Sequence, residues 1–353
     1  MAMWRIYGIE RVWPRTRRAV AVTVTVTVVV VSMLIGCSRV PSSHSSPLPL
    51  KPVGEVALPG DGSRFDYASL DSGRGLLFIA HLGAGEVIEV DVHANTVVRT
   101  IPNVAQVHGV LVVPERHRVY ATATGENQMV VLDEDTGVVL NRASTDQYPD
   151  GLAYDPTRGA VWTTNESGGS ETVIDAGSAA VRGTIDMGGE VGNVAYDPAL
   201  DRMLVAVQGR GDLAVIDPAT LSVARRMGLP GCDHPHGLAL DPAAGAAFVG
   251  CDANATLVSV DIASGRVTGS SPVGEGPDVL AYDQDAHRLY VAAESGEVSV
   301  LDEQDGKLHV VGSDHLADGA HVVAVDAATH HSYYPIPSGP SGRPVLLERS
   351  PTP

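Results

Sequence analysis

A layout of apolar runs and turns recurs along this chain at a near-constant period of 42 to 44 residues, from about residue 64 to the C-terminus. One supersecondary unit copied at that spacing confines the fold to a solenoid, a propeller or an array. The copy from Gly231 to Gly274 shows what the unit contains: HGLALDP, AAFVGCD, TLVSVD and RVTGSSPV, four short runs separated by Pro, Gly and Asp turns. Alternation within the runs, and no 3.6-residue period anywhere in the unit, make these four strands. Four strands per unit select the propeller.

Seven copies align on their first strand: RFDYASLD from Arg64, QVHGVLVV from Gln106, YPDGLAYDP from Tyr148, VGNVAYDP from Val191, HPHGLALDP from His234, GPDVLAYDQ from Gly276 and GAHVVAVDA from Gly319. The expected fold class is therefore all-β, a seven-bladed propeller with four antiparallel strands per blade. The last copy is one strand short, whereas VGEVAL (Val53 to Leu58) is a strand with no blade. The simplest closure places that N-terminal strand on the outer edge of blade 7, which also removes two exposed sheet edges. Asp71, Asp155, Asp197, Asp241, Asp283 and Asp326 end the first strands, and Asp91, Asp133, Asp175, Asp217, Asp261 and Asp302 the third. Both sets read as turn formers, since Asp accepts hydrogen bonds from backbone amides just ahead of it.

The N-terminus is of another kind. Arg5, Arg11, Arg15, Arg17 and Arg18 precede an apolar stretch, Ala19 to Gly36, that stops at Cys37 and gives way to a Ser/Pro-rich segment. This pattern is an export signal followed by a linker. Leu34-Ile35-Gly36-Cys37 resembles the bacterial lipobox, which implies lipidation of Cys37; an uncleaved membrane anchor is the alternative. The expected division is a signal at 1–36, a linker at 37–51, the propeller at 52–348 and a tail at 349–353. The expected location is the cell envelope, on the periplasmic or extracellular face of a membrane. Of three cysteines, lipidation would use one and leave Cys232 and Cys251 to form a disulfide in an oxidising compartment. Beyond residue 36 the net charge is −22, which repels nucleic acid and suits a cationic or metal-bound ligand.

Units such as RVYATATGENQMVVLDEDTGVVL (from Arg118) and RLYVAAESGEVSVLDEQDGKL (from Arg288) resemble the YVTN-type repeat of the YncE-like exported β-propellers. The resemblance spans residues 52 to 348. It implies the ring and an exported location, and it leaves the function open, because the same ring carries lyases, lactonases, quinoprotein subunits and binding modules.

The inner strands point to a site. Near the start of each stands Asp66, His108, Asp150, Gly192, His236, Asp278 or His321, and Asn193 beside Gly192 supplies a polar group in blade 4. Inner strands line a propeller's channel, so these side chains should converge. About fifteen residues on comes a second set, His81, Ala123, Asn165, Val207, Cys251, Ala293 and Ile336, each followed by a neighbour: Leu82, Thr124, Glu166, Gln208, Asp252, Glu294 and Pro337. Which neighbour turns inward is not decided by the spacing. Because the first two strands form an antiparallel hairpin, both sets face one mouth. The expected ligand-binding residues are Asp66, His81, His108, Asp150, Asn165, Asn193, Gln208, His236, Asp278, Glu294 and His321. Tyr67, Tyr148, Tyr154, Tyr196, Tyr282, Trp162 and Tyr290 are expected to pack between blades.

His108, His236 and His321 form a possible metal set for Zn, Cu or Ca, with Asp150 or Asp278 completing the shell. A rival lies in Cys232-Asp233-His234-Pro235-His236 with Cys251, unless the thiols are bridged. The chain has no haem-attachment motif, phosphate-cradling loop, HExxH helix or nucleophile elbow. The expected function is thus that of an exported, lipid-anchored, monomeric binding protein without catalysis. The alternatives are a metal-assisted lyase or lactonase with His236 or His321 as base, and an envelope scaffold that holds a partner protein.

Overall fold

In a computed structural model that describes residues 46–304 and 307–352, the strands form seven four-stranded antiparallel sheets, with no α-helix among the described residues. None of these residues form a helix long and apolar enough to cross a membrane. Cys37 and the signal-like segment lie outside the described residues. The fold is the seven-bladed propeller that the repeat demands. In blade 1 the strands Ala68–Asp71, Leu76–His81, Glu86–Asp91 and Thr96–Pro102 run outward from the channel in sequence order.

Blade 7 is built from both ends of the chain. Its order is Ala324–Asp326, His331–Ile336, Val345–Pro351 and then the N-terminal strand Leu50–Ala57 on the outside. The pairing runs from Leu50 opposite Pro351 to Ala57 opposite Val345. The boundaries expected at 52 and 348 therefore need correction: Leu50 and Lys51 of the supposed linker, and Arg349 to Pro351 of the supposed tail, are rungs of this outermost ladder. Polar and proline residues at an edge strand hid it, because an edge needs no alternating apolar face.

The core lies between blades rather than at the centre. Val and Ala alternate on strands whose two faces each pack on a neighbouring sheet, so the middle strands are buried throughout, as in Leu76–His81 and Ala160–Asn165. Phe78, Val112, Val119 and Leu132 fill one such layer, Trp162, Met203 and Val205 another. Val56, Phe65, Leu77, Tyr333 and Leu346 fill the layer that closes the ring. The Asp turns act as expected: Asp71 Oδ1 accepts from the amides of Gly73 and Arg74, and Asp241 Oδ1 from those of Ala243 and Ala244. Asp302 departs from its set and forms a two-pronged ion pair with Arg288, at 2.6 and 2.9 Å.

At the channel the inner strands come unusually close. A Cβ on Gly109 would lie 2.1 Å from the Asp150 carbonyl oxygen, and one on Gly237 would lie 2.3 Å from that of Asp278. Thr122 Oγ1 donates to the Asp150 carbonyl at 3.1 Å across the first of these seams, and Asn193 N to the His236 carbonyl at 2.9 Å across the seam between blades 4 and 5. A residue with a side chain directly after these ring residues would push the blades apart.

Two outcomes follow. Removing residues 46–57 should lower the melting temperature by roughly 10 °C or more, since an outer strand and its share of the closing layer are lost; an unchanged melt in calorimetry would refute this closure. Gly237→Ala should cost about 3 kcal/mol in denaturant unfolding, from overpacking against backbone. Gly228→Ala, where an added Cβ meets nothing within 4 Å, is the near-neutral control.

Candidate functional site

The ring residues reach the mouth because a local turn precedes them. Two positions before His108, Asp150 and His236, the chain passes through left-handed backbone at Gln106 (φ 50°), Tyr148 (φ 60°) and His234 (φ 58°). This turn brings Gln106, Tyr148 and His234 to the same cavity as the ring, and Arg64 lines it with them, a space of about 460 Å³. Pro149, Pro235 and Pro277 open three of the inner strands, where a missing N–H costs no ladder bond.

The choice between neighbours in the second set is settled by strand geometry. The first neighbour is the last residue of the second strand and packs between blades. The second neighbour begins the turn that leaves the strand, a 3₁₀ turn at Leu82–Ala84, Gln208–Arg210 and Asp252–Asn254, and in five of the seven copies it reaches the mouth. Leu82, Glu166, Gln208, Asp252 and Glu294 line the cavity, whereas Thr124 is buried against the Pro149 carbonyl and Pro337 does not line it.

Two of the expected ligand residues are thereby corrected. His81 is fully buried, stacked on Phe65 and bonded to Ser63 and Glu86, and Asn165 is fully buried against Ser170 and Thr172. Asn193 is also displaced from the expected place: it receives a 2.6 Å hydrogen bond from the Tyr67 hydroxyl, which reaches it from blade 1 across the channel. Tyr67 lines both the cavity and a second one of about 360 Å³ at the other end, where Asn193 lies. The pair forms a partition between the two mouths. Tyr67 and Tyr148, expected between blades, thus stand in the channel, because sequence position alone does not say which face of an inner strand a tyrosine takes. His321 lies just behind the cavity wall, 3% exposed.

The three histidines do not converge as a metal set. His108 Nδ1 donates to the Gln106 carbonyl at 2.9 Å, and its Nε2 faces the Tyr148 hydroxyl at 3.1 Å. His236 Nε2 faces Asp278 at 3.2 Å and its Nδ1 the Gln208 amide nitrogen at 3.0 Å. Both nitrogens of His108 are engaged, and His236, beside Asp278, offers no free lone pair. The rival cysteine cluster also falls, since Cys232 and Cys251 are bridged, with their Cα atoms 5.2 Å apart. The disulfide ties the loop before the blade 5 inner strand to the end of its second strand.

Charge dominates the cavity. Asp66, Asp150, Glu166, Asp252, Asp278 and Glu294 line it, against the one guanidinium of Arg64. Arg64 lies 2.7 Å from Glu294, 3.4 Å from Asp278 and 3.7 Å from Asp66. Burial and the neighbouring Asp278 and Asp150 carboxylates push Asp66 well above the usual range. Burial and Glu166 push Asp150 up to about 7, and Asp150 Oδ1 has no hydrogen-bond partner among the described residues. His236 is held against the cost of burial by Asp278, with Asp150 and Glu166 adding, and rises to about 10. It therefore keeps its proton near neutral pH and is unsuited to the role of base. His108 moves the other way: burial, which outweighs its bond to Gln106, and the Arg64 charge lower it.

No protein-family model matches this chain, and no curated protein matches it. Among solved structures it is similar to a chain of Kuenenia stuttgartiensis hydrazine synthase (TM-score 0.71, 15% identity, covering 82% of this chain and 96% of that one). It is also similar to virginiamycin B lyase from Staphylococcus aureus (TM-score 0.70, 11% identity, 85% and 99%). At these identities the likeness is one of fold.

The raised Asp150 gives a pH signature. Between the ordinary carboxylate range and about 7, the folded chain holds a proton that the unfolded chain has released, so stability falls as pH rises through that window. Asp150→Asn should raise the melting temperature at pH 8 by about 5 °C or more and change little at pH 4. Equal shifts at both pH values would show that Asp150 does not carry this proton.

Proposed function

We propose that this propeller is a binding protein for a small cationic ligand held at the acidic mouth, and that catalysis is not its role. One observation carries the reading: six carboxyl groups, against one guanidinium and the protonated His236, line a single cavity of ligand-sized volume. The protein pays for that excess by taking protons onto its own acids, and a ligand that brings positive charge would release them. Tyr67 and Tyr148 supply aromatic surface of the kind that favours an organic ammonium group. A metal-assisted lyase remains the second reading. Buried Asp150, whose Oδ1 has no hydrogen-bond partner among the described residues, is a better base for it than His236, which Asp278 holds protonated.

The cellular setting we propose is the envelope, with lipid at Cys37, membership of the YncE-like exported propellers, a monomeric ring and no contact with nucleic acid. The basic, apolar and Leu34–Cys37 segments support the anchor, the repeat units support the kinship, and the acidic balance supports the last point.

Calorimetric titration with diamines and quaternary amines, beside uncharged analogues of the same shape, tests the reading. Amines should bind, with affinity that strengthens as pH rises through 7 and weakens with salt. Glu166→Gln should weaken them about tenfold, the value of one charge contact near 1.4 kcal/mol. Equal binding of charged and neutral analogues would discard it.

A further inference from the structure

His321 has a ring nitrogen with nothing to do. Its Nε2 lies 2.9 Å from the Phe65 carbonyl oxygen, which can only accept, so the proton of the neutral ring is on Nε2 and the lone pair is on Nδ1. Nδ1 is buried and has no hydrogen-bond partner among the described residues; the nearest carboxylate, Glu294 Oε2, is 3.6 Å away. One donor atom each of Asp66, Asp278 and His321 lie within 4.8 Å of one another. Donors about 2.1 Å from a shared ion lie roughly 3.4 Å apart in tetrahedral geometry, so the three side chains would close onto the ion by about an ångström. An imidazole whose other nitrogen donates to a backbone carbonyl is oriented as metal-bound histidines usually are.

We propose that Asp66, Asp278 and His321, from blades 1, 6 and 7, bind a divalent transition metal ion, with Zn²⁺ as the probe. This set replaces the three-histidine set: His108 and His236 have no free lone pair, whereas His321 has one. One nitrogen and two carboxylates suit Zn²⁺ over Ca²⁺, which takes oxygen alone. Arg64 is the competing cation. Its contacts with Asp66 and Asp278 are long, its contact with Glu294 is short, and its side chain is 40% exposed, so it withdraws toward Glu294 when the ion enters. Three protein donors leave a coordination position open to the cavity. The proposal shares the mouth with the ammonium reading and does not depend on it.

The experiment is Zn²⁺ titration of the full-length chain in detergent, stripped with chelator and dialysed. Wild type should bind one ion. His321→Gln and Asp278→Asn should each weaken binding at least tenfold, His93→Ala at an exposed turn should leave it unchanged, and Arg64→Ala should strengthen it. A gain in affinity is not a product of misfolding, so the Arg64 variant guards against variants that fold poorly. Cobalt-loaded wild type should show visible absorption that His321→Gln loses. No Zn²⁺ binding by wild type, or full binding by His321→Gln, overturns the proposal. Amine titration in chelator separates the two readings: amine binding without Zn²⁺ binding ends the metal site alone, and Zn²⁺ binding without amine binding ends the ammonium reading alone.

Discussion

The distance between neighbouring inner strands governs this molecule. Where Gly109 meets the Asp150 carbonyl and Gly237 meets that of Asp278, backbone touches backbone, and no side chain separates adjacent blades at the channel. That contact sets the radius of the ring. It also fixes where the residue before each glycine points, because a strand pinned on one face must present the next side chain to the other. His108, Asp150 and His236 owe their positions at the mouth to the glycine that follows each of them.

Crowding so many acids into one rim has an electrostatic cost that the structure meets in three ways. Arg64 spans Asp66, Asp278 and Glu294, His236 takes the charge of Asp278, and burial beside like charges shifts the carboxyls of Asp66 and Asp150 upward. A site that served only as solvated channel wall would have no need to bury Asp66 and Asp150 to 2% and 4% exposure. Such arrangements persist where a function repays the loss of stability.

Much of this was legible in the chain because a repeat multiplies weak signals. A single run such as HGLALDP says little, but seven in register define the blade, and a missing strand at one end with a spare one at the other defines the closure. Asp66, His108, Asp150, Gln208, His236, Asp278 and Glu294 were found at the mouth by counting along the repeat. Arg64, Tyr148 and His234 stand two positions earlier in their copies, where left-handed backbone at Tyr148 and His234 breaks the alternation that would have placed them. His81 and Asn165 were misplaced because the residue at which a strand becomes a 3₁₀ turn decides which neighbour faces inward, and spacing does not mark that residue. The Tyr67–Asn193 bond was beyond reach, since it joins blades 1 and 4 across open space and no periodicity links them. The free nitrogen of His321 likewise depends on one carbonyl 256 residues away.

The ladder between Leu50 and Pro351 bears on how the ring comes to exist. Each inner hairpin closes a loop of a few residues as soon as it is synthesised, but this ladder joins positions about 300 residues apart. By loop-closure entropy the difference from closing a single blade is only about 2 kcal/mol, since the cost grows with the logarithm of length. The burden is therefore one of time. Until Val345–Pro351 has left the ribosome, every intermediate carries two unpaired edges and half of a buried layer, which is the form most open to association with other chains. Completing the circle in one late step makes the finished ring all or nothing, so that a nascent chain ending a few residues early would lack the seam that holds Asp66 beside His321.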